Sequence, residues 1–189
     1  MEAFLVSAGS VAIAEMGDRT QLLALLLAAR FRRPWPIVAG ILAATLANHA
    51  MAGAAGVWFG RLLTPALLDS VVGVSMLAMA AWTLVPDRID EDDGLAHPSH
   101  GVFLSTLICF FLAEIGDKTQ IATIALAAAY SNLAAVVAGT TLGMMIANVP
   151  VVFMGKAFAG RLPLKAIHYG AAAIFAGLGL VFLMRAMAS

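Results

Sequence analysis

Two short stretches, residues 14–21 (AEMGDRTQ) and 113–120 (AEIGDKTQ), set carboxylates and a base inside otherwise apolar runs. Glu15 and Asp18 stand three residues apart, as do Glu114 and Asp117, a spacing that puts both acids of a pair on one face of a helix. A charged side chain at the centre of a bilayer costs roughly 2.5–3.5 kcal/mol, so its presence there points to function. Carboxylate oxygens suit hard or borderline divalent cations such as Mn²⁺ and Ca²⁺; thiolates or several histidines would instead favour zinc or copper. Four acids (−4) with Arg19 and Lys118 (+2) sum to −2, which one divalent ion neutralises. Thr20, Gln21, Thr119 and Gln120 offer neutral oxygens one turn further on, or hydrogen bonds across helices. Gly17 and Gly116 lie between the acids, where they permit either close helix packing or a local break that bares backbone carbonyls. The competing, purely structural arrangement is a pair of i,i+4 salt bridges, Glu15 with Arg19 and Glu114 with Lys118. It leaves Asp18 and Asp117 unexplained, and buried ion pairs contribute little net stability.

The elements that must position these residues are membrane helices. The chain is 62% hydrophobic and 12% charged, with a mean hydropathy of +0.94, a balance that excludes a soluble domain. Apolar runs bounded by charge, Pro and Gly predict six helical spans, at about 3–30, 35–61, 67–86, 101–130, 132–158 and 165–187. Nothing alternates with period two, so a barrel is not expected. The first run lacks a basic flank and continues well past the charged motif, which argues against a cleaved signal peptide. Cys109 has no cysteine partner and His49 no counterpart in the second half, where Val149 takes its place; both are expected in packing.

The chain is a duplication. Superimposing Glu15 on Glu114 also matches Gly17 with Gly116, Asp18 with Asp117, Thr20 with Thr119, Gln21 with Gln120 and Gly40 with Gly139. One inserted residue then brings Asn48 onto Asn148, a pair expected to line a cavity, and residues 60–62 onto 160–162. Three spans per repeat is an odd number, so the second repeat enters the membrane from the opposite side. The expected fold is thus an all-α integral membrane protein of six transmembrane helices in two inverted-topology three-helix repeats, an architecture associated with transporters. The repeats are 1–86 and 101–189, joined by an acidic cytoplasmic linker at 87–100. Arg30, Arg32, Arg33, Arg88, Arg161 and Lys165, with Lys156 nearby, fall on one side; only Arg61 and Arg185 fall on the other. By the positive-inside rule the first side is cytoplasmic and both termini are periplasmic. Asp87, Asp90, Glu91, Asp92, Asp93, His97 and His100 of the linker read as a solvated loop, with a cation-collecting antechamber as the alternative.

The doubled signature Glu-x-Gly-Asp-(Lys/Arg)-Thr, at residues 15–20 and 114–119, on inverted halves around an acidic linker, resembles the Gdt-type cation/proton exchanger family. That family includes bacterial manganese exporters of the MneA type and Golgi and chloroplast Mn²⁺/Ca²⁺ transporters. The resemblance covers nearly the whole chain. It implies a secondary transporter that moves Mn²⁺ or Ca²⁺ out of the cytoplasm in exchange for protons. Glu15, Asp18, Glu114 and Asp117 would form the metal site, with Arg19 and Lys118 balancing its charge. It also implies a bacterial inner-membrane location, since the long N-terminal extension of eukaryotic relatives is missing. The metal is cargo, and no cofactor is expected. The alternative is an exporter of a small organic cation or amino acid, although four acids exceed what one ammonium needs. With no nucleotide-binding motif and no nucleophile near either acidic pair, an enzyme is not expected. Nucleic acid is not an expected partner, and monomer and homo-oligomer both stay open.

Overall fold

The computed structural model of the protein describes residues 1–85, 101–130, 132–154 and 164–188. The acidic linker, with Arg88, and the basic residues Lys156 and Arg161 lie outside the described residues. Every regular element among the described residues is helical: α1 (Glu2–Glu15), α2 (Arg19–Phe31), α3 (Pro34–Leu62), α4 (Pro65–Thr83), α5 (Gly101–Glu114), α6 (Lys118–Ala129), α7 (Leu133–Met154) and α8 (Leu164–Ala188).

Four of these helices, α3, α4, α7 and α8, are long and apolar enough to cross a membrane. The expected spans at 3–30 and 101–130 are not continuous helices. Each is cut at its acidic motif into two pieces of 12–14 residues. At 1.5 Å per residue each piece is about 20 Å long, short of the roughly 30 Å hydrocarbon core. Proline opens α3 and α4, where its missing N–H removes nothing from the helix. Arg32, at φ 53°, closes α2 with its N–H on the Ala28 carbonyl.

Polarity is arranged inside out relative to a water-soluble protein. Glu15, Asp18, Gln21, Asn48, Glu114 and Lys118 are buried, while Leu46, Trp58, Phe103, Leu180 and Met184 are exposed. Where the surrounding solvent is hydrocarbon, polar groups find partners only inside the protein.

Packing runs crosswise between the parts of the chain before and after the linker. The most extensive contacts are α4 on α8, α1 on α7, and α3 on α5 and α6. Two apolar clusters seal the bundle. One is built around Met76, Met79, Leu126 and Phe175, the other around Leu27, Ile37, Ile41 and Phe110. Cys109 belongs to the second, and His49 is likewise buried, as packing requires.

Close approach depends on glycine at two matched points. A Cβ at Gly40 would lie 2.8 Å from the Phe103 carbonyl oxygen and 2.8 Å from Thr106 Cβ. At Gly139 it would lie 2.5 Å from the Phe4 oxygen and 2.9 Å from Ser7 Cβ. Phe4 and Ser7 precede Phe103 and Thr106 by the 99 residues that separate Gly40 from Gly139, so the duplication repeats a contact as well as a motif. Gly139→Val should therefore overpack the α1–α7 seam, at a cost of about 1–3 kcal/mol. The check is the thermal midpoint of the protein in detergent. Gly9→Ala, which meets nothing within 4 Å, is the control and should leave that midpoint in place.

Candidate metal centre

Both acidic motifs fold as helix breaks, and glycine makes the break. α1 ends at Glu15, Met16 turns extended, and Gly17 takes φ 87°, a left-handed conformation that costs other residues. Asp18 is then extended and caps α2, its carbonyl accepting from the Gln21 and Leu22 N–H groups. The second motif repeats this. Gly116 has φ 74°, and Asp117 caps α6 through the Gln120 and Ile121 N–H groups.

Gln21 and Gln120 close the breaks rather than offering their oxygens outward. The Gly17 N–H donates to Gln21 Oε1 at 2.9 Å, and the Gly116 N–H to Gln120 Oε1 at 2.8 Å. Gln21 Nε2 also donates to the Ala147 carbonyl at 2.9 Å, tying the break to α7. Each break presents the carbonyl end of one half-helix, suited to a cation, and the amide end of the next, suited to a carboxylate. Glu15 and Asp18 therefore do not share the face of one continuous helix. Each acid of a pair belongs to a different side of the break.

Three acids come together. One oxygen each from Glu15, Asp18 and Asp117 lie within 4.8 Å of one another, and all three residues are buried. Glu114 stands outside this group. Its carboxylate accepts from Thr45 Oγ1 at 2.7 Å and from Asn48 Nδ2 at 3.4 Å, and Asn48 also donates to the Phe111 carbonyl at 3.0 Å. Thr20 donates to Glu15 at 2.6 Å, and Thr119 to Asp117 at 3.2 Å. Asn148, the match of Asn48, bonds within its own helix, to the Met144 carbonyl at 3.1 Å and Sδ at 3.0 Å.

The two bases cross over. Lys118 Nζ sits 2.8 Å from Asp18 Oδ1, and an Arg19 guanidinium nitrogen sits 3.5 Å from Asp117 Oδ1 and donates to the Ala113 carbonyl at 2.7 Å. The i,i+4 pairs within each motif are not the ones formed. An i,i+4 contact needs an unbroken helix, and the break puts Glu15 and Arg19, or Glu114 and Lys118, on different half-helices. The ion pairs thus stitch one motif to the other. Lys118 is buried with a side-chain exposure of 3%, whereas that of Arg19 is 35%.

Thr45, which donates to Glu114, is a residue of the candidate site that the motif reading missed. The available signal was its position three residues before Asn48, on the same face of α3. Chemically, the centre is a buried cluster of three carboxylates (−3) against two cations (+2), with a fourth carboxylate alongside. A divalent ion would compete for these oxygens both with protons and with Lys118 and Arg19.

The comparisons with known proteins fall into the same pattern. A family model described as "Divalent cation/proton antiporter GDT1" matches the chain twice, over residues 3–91 and 102–189. A Vibrio cholerae protein named "Putative manganese exporter" is 50% identical over 176 residues, covering 93% of this chain and 87% of the relative. A GDT1-like protein of Synechocystis is 30% identical over 186 residues, covering 88% and 89%. A GDT1-like protein 4 of rice is 27% identical over 187 residues, covering 85% of this chain and 66% of its own length. No solved structure matches the chain.

Proposed function

Because this chain belongs to the GDT1 family of divalent cation/proton antiporters, we propose that it exports Mn²⁺ from the cytoplasm, with Glu15, Asp18 and Asp117 as the core of the binding site. It is a multi-pass membrane transporter and not an enzyme. The observation that carries the site assignment is the convergence of three buried carboxylates from two helix breaks within 4.8 Å. Mn²⁺ as cargo is supported by the name of the 50% identical relative and by a donor set made of oxygen alone.

In this reading α1–α2 and α5–α6 are the broken first spans of two inverted three-helix repeats. With the four intact helices they make six crossings, the repeats being 1–86 and 101–189. The chain sits in the bacterial inner membrane with both termini periplasmic, and the acidic linker is cytoplasmic. Broken helices near mid-depth, with carbonyl ends facing a cation, are the usual way a transporter builds an ion site between repeats.

The residues then divide the work. Asp18 and Asp117 each carry an ion pair to the opposite motif, so metal entry must loosen Lys118 and Arg19 and with them the link between repeats. Glu15, held by Thr20, adds a third oxygen ligand. Glu114, on Thr45 and Asn48, completes the set when the repeats move. Thr119 and Gln120 support the second break as Thr20 and Gln21 support the first, while Asn48 of the first repeat reaches across to Glu114 of the second. Protons leave or join the same carboxylates as the ion arrives or departs, which couples the two fluxes in opposite directions.

The test is flux in proteoliposomes with an imposed pH gradient, read by a manganese indicator and a fluorescent proton reporter in the same vesicles. The expected result is Mn²⁺ movement that accelerates when the gradient opposes it in direction and that moves protons the other way. Metal flux indifferent to the gradient would leave a uniporter.

A further inference from the structure

Asn48 and Asn148 are matched in sequence and both fully buried, yet they are bonded differently. Asn48 reaches out of its helix to the Phe111 carbonyl at 3.0 Å and to Glu114 Oε2 at 3.4 Å. Asn148 spends its Nδ2 on its own helix, at Met144. The duplication that pairs Asn48 with Asn148 also pairs Phe111 with Ala12 and Glu114 with Glu15. Repeating the first arrangement in the second half would therefore carry Asn148 to the Ala12 carbonyl and to Glu15.

The surroundings permit it. A Cβ at Gly143 would lie 2.8 Å from the Ala12 nitrogen, and the Ala147 carbonyl takes Gln21 at 2.9 Å. The face of α7 bearing Gly143 and Ala147 thus runs past the end of α1 between the levels of Ala12 and Gln21, where Glu15 stands, and Asn148 follows Ala147 directly. Glu15 Oε1 is buried and has no hydrogen-bond partner among the described residues, an acceptor that the Asn148 Nδ2 could fill. A thioether sulfur is a weak acceptor, so the Asn148 amide has more to gain at a carboxylate than at Met144.

Two repeats related by an axis in the membrane plane exchange places, and exchange membrane sides, when their conformations are swapped. Where the repeats differ, the difference defines the state. We propose that Asn148 is a positioning residue for Glu15, exchanging its bond to Met144 for one to Glu15 in the opposite-facing state while Asn48 releases Glu114. This rests on the inverted-repeat antiporter reading above. Each asparagine then stabilises one of the two states, and the site changes its supporting helix from α3 to α7 as it changes sides.

The experiment reads conformation directly, in metal-free purified protein. The reporters are two positions matched by the duplication, the native Cys109 and Ser10→Cys in a Cys109→Ser background. Both positions are buried here, so the rate at which each reacts with a water-soluble maleimide reports how often its side of the bundle opens, and the ratio of the two rates is compared among variants. Asn48→Ala and Asn148→Ala are expected to move that ratio severalfold in opposite directions. In a Glu15→Ala background, Asn148→Ala should lose its effect while Asn48→Ala keeps it. Shifts in the same direction, no shift, or an Asn148 effect that survives loss of Glu15 would overturn the proposal. Asn→Ser at either position is the second variant should an alanine form express poorly, with the same opposite signs expected. Since no metal is present, failure here leaves the Mn²⁺ flux result standing, and failure of that flux leaves the labelling ratio readable.

Discussion

Glu15→Gln is expected to bring Mn²⁺ flux in proteoliposomes down to the level of protein-free vesicles, with the protein still folded and inserted. The substitution keeps size and shape and leaves an oxygen for Thr20, which donates to Glu15 at 2.6 Å. What it removes is one negative charge from a pocket of three carboxylates whose oxygens lie within 4.8 Å of one another. Glu15 is not the partner of either base, so no cation is orphaned, and the effect on stability stays small. Loss of a group that merely supports a metal ligand costs about 10–100-fold in affinity, and loss of a charged ligand should exceed that. Binding of Mn²⁺ to the detergent-solubilised protein, measured by calorimetry, should fall in parallel with flux. Wild-type binding in the Glu15→Gln protein would remove Glu15 from the site. The same change at Asp18 is a less clean probe, because it strips Lys118 of its carboxylate.

Lys118→Met should destabilise the metal-free protein by about 3–5 kcal/mol, the usual cost of breaking a buried ion pair from one side. Lys118 and Asp18 are both buried, and the ammonium lies 2.8 Å from the carboxylate. Arg19→Met should cost clearly less, since its side chain is 35% exposed and its nitrogen sits 3.5 Å from Asp117. Mn²⁺ supplies positive charge to the same oxygens, so it should restore much of what Lys118→Met loses. A ligand at 100 times its Kd adds about 2.7 kcal/mol. The measurement is the thermal midpoint of each variant in detergent with and without Mn²⁺. Equal losses for the two bases, or a Lys118→Met midpoint blind to Mn²⁺, would mean that Lys118 does not occupy the cation's place. Adding Asp18→Asn to Lys118→Met should recover stability without metal, because the pair is then removed from both sides.

These two expectations differ in how far the sequence could have led to them. Glu15 announces itself: a carboxylate within an apolar run, repeated 99 residues later in the same company, is readable without coordinates. The crossed pairing of Lys118 with Asp18 is not. Spacing along a chain favours the partner four residues away, and only an interrupted helix makes the distant partner the nearer one.

Residue order alone determined that this is a helical membrane protein, that it is duplicated, and which residue types its candidate site is made from. Those properties are local or periodic. The apolar runs follow from the cost of exposing backbone to hydrocarbon, and the repeat is a matter of order along one chain. The glycines between the acids also hinted that the helices could break there. Tertiary structure decided how the acids are shared out: Glu15, Asp18 and Asp117 together, with Glu114 held apart by Thr45 and Asn48. It decided, too, that Asn48 and Asn148, alike in sequence, have different partners. The physical reason is that a duplicated sequence carries near-equal instructions for both halves, while a hydrogen bond or an ion pair is made by whichever group is closest once the helices have packed.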